Sequence, residues 1–166
     1  MKPRARDLGI PFDGTPGPLN AITDVAGVWV GHATLVEGEG ELVVGRGPVC
    51  TGVTAIRPRG ADAQAVFAAY HSLNGCGEMT GTIWLEELGM LNGPLILTNT
   101  FSIGAVHQAT IDWVIKNYKI PFGLPVVTET YDGYLNDIHG FHVKAEHVNL
   151  ALESAQDGPV LEGNHG

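Results

Sequence analysis

The 166-residue sequence carries 18 acidic against 9 basic side chains, a formal net charge of −9, and 23 glycines. That length accommodates one domain with a real core and not two, and the low charged fraction excludes a coiled coil or a disordered chain. An acidic surface repels phosphates, so nucleic acid is excluded as a partner, whereas a cationic or neutral small molecule is compatible.

No apolar run reaches the length of a bilayer span, and no signal-type apolar segment follows the basic residues 1–9. A soluble protein is expected, cytoplasmic or periplasmic. Cys50 and Cys76 show no CxxC or other metal spacing and need not pair.

In chain order, residues 1–19 form an extended lead-in punctuated by Pro3, Pro11, Pro16 and Pro18, which excludes a helix. Alternation over 22–35 and a β-branched run over 49–56, separated by a glycine-rich turn at 38–47, predict a hairpin. Residues 65–73 are alanine-rich and ambiguous; the cluster Asn74-Gly75-Cys76-Gly77 after them favours a strand. A short helix is predicted over 81–90, with Trp84, Leu85 and Leu88 on one side and Gly89 or Gly93 closing it. Residues 94–100 read as a buried strand. Ser102 is the expected cap of a helix over 103–118, with Ile103, Val106, Thr110, Val114 and Asn117 on one face, Ile111 and Ile115 widening it, and Pro121 ending it. A short apolar strand over 124–131 follows, and then Val148, Ala151, Leu152 and Ala155 at helical spacing, ending near Gly158. Sheets covered by helices are the expected architecture, in a single domain over 1–166 of α+β or α/β class.

The stretch LPVVTETYDGYLNDIHG at 124–140 carries the most chemistry. Strand alternation places Val127, Glu129 and Tyr131 on one side, so that a carboxylate and a phenol emerge together before the Asp132-Gly133 turn. A partly desolvated carboxylate on a stiff strand holds an ammonium group more tightly than one in open water. The plainer alternative is a Glu that is solvated or paired with a surface Lys.

Other candidates are weaker. His139, His142 and His147, beside Asp137 and Glu146, match neither HExxH nor a paired CxxC site, so no metal is expected. Ser102, His107 and Asp112 on one helix diverge by about 140° per step, which defeats a triad. Glu78 is an acid, a base or a cap of the following helix, and the capping role is favoured. Asn99 and Thr100 either line a cleft or satisfy nearby backbone groups. With no GxSxG, GxGxxG or phosphate loop, no cofactor is expected and no complete catalytic machinery is visible.

Five segments taken together resemble the L-aminopeptidase/D-esterase and β-aminopeptidase family of self-processing N-terminal-nucleophile-type hydrolases. They are RARDLGIPFDGTPGPLNAITD at 4–24, NGCGEMTGT at 74–82, GPLILTNTFSIG at 93–104, PVVTETYDGYLNDIHGFHV at 125–143 and GPVLEGNHG at 158–166, in the family's order over nearly the whole chain. The resemblance implies a four-layer αββα sandwich whose precursor cuts itself, freeing a nucleophilic serine at the start of a second subunit. It also implies that Glu129 receives the substrate's amino group, and that Tyr131 lines the pocket and helps polarise the scissile carbonyl.

The family's cleavage point, supporting asparagine and nucleophilic serine have no counterpart here. The chain therefore reads as the front part of an α subunit, inactive alone, whose partners are the remaining α segment and a β subunit, assembled as a homo-oligomer of α/β pairs. Acyl transfer of the ornithine acetyltransferase type, or a non-catalytic binding or assembly module, are the alternative functions.

Overall fold

In the computed structural model, which describes residues 3–119 and 123–166, the hairpin forms as expected. Strand β1 (Trp29–Glu37) pairs antiparallel with β2 (Val49–Arg57), in register from Trp29 opposite Arg57 to Glu37 opposite Val49. A single 3-10 turn, Ile22–Asp24, precedes β1, so the strand starts seven residues later than the alternation from Ile22 implies.

After the hairpin come β3 (Val66–Phe67), α1 (Thr82–Leu88), β4 (Met90–Leu91), β5 (Leu95–Asn99), α2 (Ile103–Tyr118), β6 (Val126–Thr130) and α3 (Ala145–Glu153). One sheet has the order β1-β2-β5-β6, antiparallel except for β5 and β6, and β3 and β4 form a separate two-stranded ribbon. A parallel pair needs a long crossover, and α2 supplies it between β5 and β6.

Helices α2 and α3 lie on one face of the four-stranded sheet. Ala33, Val53, Ala55, Ile96 and Val127 pack there against Val106, Trp113 and Val114 of α2 and Val148, Ala151 and Leu152 of α3. Gly31 lets α3 approach β1: a side chain there would meet the Ala151 carbonyl and stand 2.6 Å from Ala155 N. A smaller cluster of Leu85, Leu91 and Val126, with Val66, Met79 and Leu95 against it, covers part of the opposite face. Elsewhere on that face His32 and Thr54 meet the final residues, Gly166 N donating to Thr34 Oγ1. The class is α+β, and a sheet with its helices on one face is the arrangement that half of an αββα sandwich requires.

Several local expectations are corrected. Residues 65–73 contribute only the two residues of β3, and the rest of that stretch is loop, because Val66 is its one β-branched residue and Ala, His and Ser bring little that a sheet can pack. Ser102 does not cap α2 with its side chain; Asn99 Oδ1 accepts from Ser102 N instead. The buried stripe of α2 turns toward Ala109 and Trp113, leaving Ile115 59% exposed. In α1, Leu85 is buried while Leu88 is exposed, and Gly89 closes the helix with φ 64°. The proposed stop at Pro121 lies outside the described residues. Helix α3 starts three residues before the Val148 expected to open it, and Val148, Ala151, Leu152 and Ala155 are all buried as its spacing implies.

Candidate functional site

The free edge of β6 carries the site. Thr80 clamps onto that edge: its N–H donates to Val127 O (2.9 Å), its hydroxyl donates to Pro125 O (2.9 Å) and the same oxygen accepts from Val127 N (2.9 Å). Met79 bridges Thr128 antiparallel. Residues 70–79 are thereby folded back against the end of β6.

Between that loop and the strand lies a cleft of about 680 Å³, lined by residues including Tyr70, Asn74, Gly77, Glu78, Met79 and Glu129. Such a volume suits a small ligand. Among the described residues neither Lys nor Arg lines it, and His71 is its one basic side chain, so no permanently charged cation on its walls neutralises its two carboxylates.

Glu129 is half-buried near the end of β6, and its Oε2 is shielded from solvent with no hydrogen-bond partner among the described residues. An orphaned carboxylate oxygen is costly and therefore an open valence for a cationic donor. For Oε2 itself neither plainer fate applies, since it is shielded from solvent and pairs with no lysine among the described residues.

Tyr131 behaves differently from the alternation. Strand β6 stops at Thr130, so the two-residue period no longer applies; Tyr131 is 62% exposed and stacks edge-on against Tyr134 at 5.6 Å. It does not line the cleft with Glu129. Glu78 does line it, and it does not cap α1, whose N-cap is Gly81 with no side-chain bond.

Asn99 and Thr98 belong to a second cleft, of about 260 Å³, on the other side of β6 with Thr51, Thr54, Asp132 and His165. Asn99 is buried, donating to Thr51 Oγ1 (2.8 Å) while accepting from Ser102 N (3.0 Å), so both readings of this residue hold at once. His32 is close by, hydrogen-bonded to Thr54 Oγ1 (3.0 Å). Burial, and secondarily His165, push its pKa below the ordinary histidine value.

The three clustered histidines have separate roles. His142 Nε2 bonds Asp137 Oδ2 (2.9 Å), His147 Nδ1 accepts from Lys144 N at the start of α3 (2.9 Å), and His139 stacks on Phe101 at 5.3 Å. No group of three or more potential metal-ligating side chains occurs among the described residues. Asp112 accepts from Gln108 (3.0 Å) and Ser102 is buried, so neither serves a triad. Of the wall at 70–79, the sequence reading places 70–73 in a strand and 74–77 in a turn, with nothing to show that the two fold back on β6; Gly75 and Gly77 flanking Cys76 are the usable signal of a loop approaching something closely.

The family model described as "Peptidase family S58" matches residues 20–166. The chain belongs to peptidase family S58. Among S58 relatives, the β-peptidyl aminopeptidase BapA of Sphingosinicella microcystinivorans is 56% identical over 167 residues, and that of Sphingosinicella xenopeptidilytica 51% over 171. Each alignment takes in 99% of this chain and 42% of the relative, so the chain spans well under half the length of these curated relatives.

Solved structures agree with the S58 assignment. The L-aminopeptidase D-Ala-esterase/amidase of Ochrobactrum anthropi, described as a variant of the Ntn hydrolase fold, superimposes with a TM-score of 0.90 at 48% identity, covering 99% of this chain and 48% of that one. A Burkholderia sp. β-aminopeptidase gives 0.88 at 49%, covering 98% and 46%. The resemblance drawn from the five sequence segments is thus upheld. No helix among the described residues is long and apolar enough to cross a membrane.

Proposed function

We propose that this S58 chain forms part of an aminopeptidase that releases the N-terminal residue, including β-amino residues, from small peptides, amides or esters. The reaction is acyl transfer. A serine outside this chain attacks the scissile carbonyl, the amine or alcohol leaves, and water releases the acyl group from the serine. Glu129 receives the substrate's free ammonium and holds the carbonyl in register for that attack, while Tyr131 takes a secondary place beside the pocket. The names of the relatives support the activity, and the partners are the remaining α segment and a β subunit bearing the serine, in α/β pairs that assemble further.

The observation that carries this reading is the shielded Oε2 of Glu129, unpartnered among the described residues, in a cleft that these residues line with neither Lys nor Arg and with His71 as its one basic side chain. Replacing Glu129 by Gln in the full-length enzyme keeps the shape and removes the charge. The loss expected is roughly 2 to 4 kcal/mol of transition-state binding, about thirtyfold to a thousandfold in kcat/KM. An unchanged kcat/KM for a free-amine substrate removes Glu129 from the site.

A further inference from the structure

The loop wall meets Glu129 at a glycine. A methyl group on Gly77 would stand 2.8 Å from Glu129 Oε1, 3.4 Å from its Cδ and 3.5 Å from its Cγ, the first of these well inside ordinary contact. Gly77 is not among the residues with positive φ, so alanine suits its backbone. What glycine contributes here is the missing side chain and not conformational freedom.

Resting on the reading of Glu129 as the ammonium receptor, we propose that Gly77 is a positioning residue for substrate recognition. Its bare Cα leaves the space in which the Glu129 carboxylate stands toward the cleft, and this fixes where the substrate's amine docks. The carboxylate is the far end of a flexible side chain, and no hydrogen bond from the described residues restrains Oε2. A methyl at position 77 therefore displaces the carboxylate by side-chain rotation without forcing the backbone apart. The Thr80 clamp, which sets the loop's distance from β6, is left in place. Because the attacking serine is positioned elsewhere, moving the anion shifts the bound amine relative to the nucleophile, and a shift of about 1 Å costs up to about a hundredfold in rate.

The experiment uses the full-length enzyme and a free-amine β-aminoacyl p-nitroanilide. Gly77→Ala is expected to lower kcat/KM roughly tenfold to a hundredfold, with the change visible in kcat, because the bound amine is held out of line with the nucleophile. Gly75→Ala adds the same methyl two residues away, where nothing lies within 4 Å, and is expected to cost several-fold less. In a Glu129→Asp background, whose carboxylate is drawn back by one methylene, Gly77→Ala is expected to cost much less than in the parent enzyme.

The inference is overturned if Gly77→Ala behaves like Gly75→Ala, or costs as much with Asp at 129 as with Glu. Should Gly77→Ala fail to fold while the double variant folds, the clash with the carboxylate is established; failure of both overturns it. Glu129→Gln separates the two levels. If Glu129→Gln is impaired and Gly77→Ala is not, only the role of Gly77 falls, whereas a fully active Glu129→Gln removes the ammonium receptor and Gly77's role with it.

Discussion

Two acidic side chains in the same segment show how neighbourhood divides one residue type into two roles. Glu129 has an oxygen with no partner, whereas Asp137, eight positions later, is buried and fully engaged. His142 bonds its Oδ2 at 2.9 Å, Gly45 N donates to the same oxygen at 2.7 Å, and Asp137 N donates to Pro48 O at 2.9 Å. The His142 bond first, and then the backbone amides, hold the Asp137 carboxyl below the ordinary aspartate value against the opposing effect of burial. A depressed carboxylate contributes stability that is complete above its unfolded pKa, near 3.9, and is lost as pH falls through the lower folded value. Melting temperature followed from pH 7 to pH 3 should therefore fall on the acid side. In Asp137→Asn it should start lower at neutral pH and lose part of that acid-side slope; identical slopes would show that Asp137 does not govern the acid transition. Gly140 accommodates this latch, because a side chain there would run into both Asp137 and His142. The NDIHGFH run that invites a metal reading in the sequence is in this way a fastening of the β1–β2 turn.

Strands and helices whose residues repeat at their natural period were legible, and those defined by contacts elsewhere were not. The β1–β2 hairpin, β5, α2 and α3 follow from periodicity because each turns a regularly spaced set of apolar residues into the core. The cleft wall at 70–79 does not, since its position comes from Thr80 gripping an edge strand 47 residues away in sequence. Helix α3 approaches β1 closely at Gly31, where the atoms that a side chain would meet are backbone and cannot swing aside. Gly31→Ala should accordingly destabilise by about 3 kcal/mol or more, an overpacking cost measurable by chemical denaturation. A change below about 1 kcal/mol would mean that α3 moves away from the sheet freely.

For the molecule as a whole, the lead-in and the final segment are joined. Arg4 Nε donates to Glu162 Oε2 (2.9 Å), Ala5 N donates to Glu162 Oε1 (2.9 Å), and the Arg4 guanidinium also reaches Leu19 O (2.6 Å) and Asn20 O. The final residues then run over the sheet face opposite the helices, to Thr34 and past His32. With the chain matching 42% of the curated relatives' length, the proposed division of labour has a direct test. Mass spectrometry of the native enzyme should find a companion polypeptide beginning with Ser, and the 166-residue chain by itself should leave an aminoacyl amide intact. Turnover by that chain alone would place the nucleophile among its own residues.

Local order was enough to predict sheets covered by helices, the hairpin and the helices α2 and α3, and to single out Glu129 as a candidate, because alternation and helical spacing are consequences of backbone geometry that each segment carries within itself. Tertiary structure alone decided that Glu78 and Gly77 share Glu129's cleft, that Tyr131 leaves it where β6 ends, and that Asp137 binds His142 and the β1–β2 turn. Those outcomes depend on which distant backbone atoms come within hydrogen-bond reach after the chain closes, and the residue types in a short window do not encode such distances.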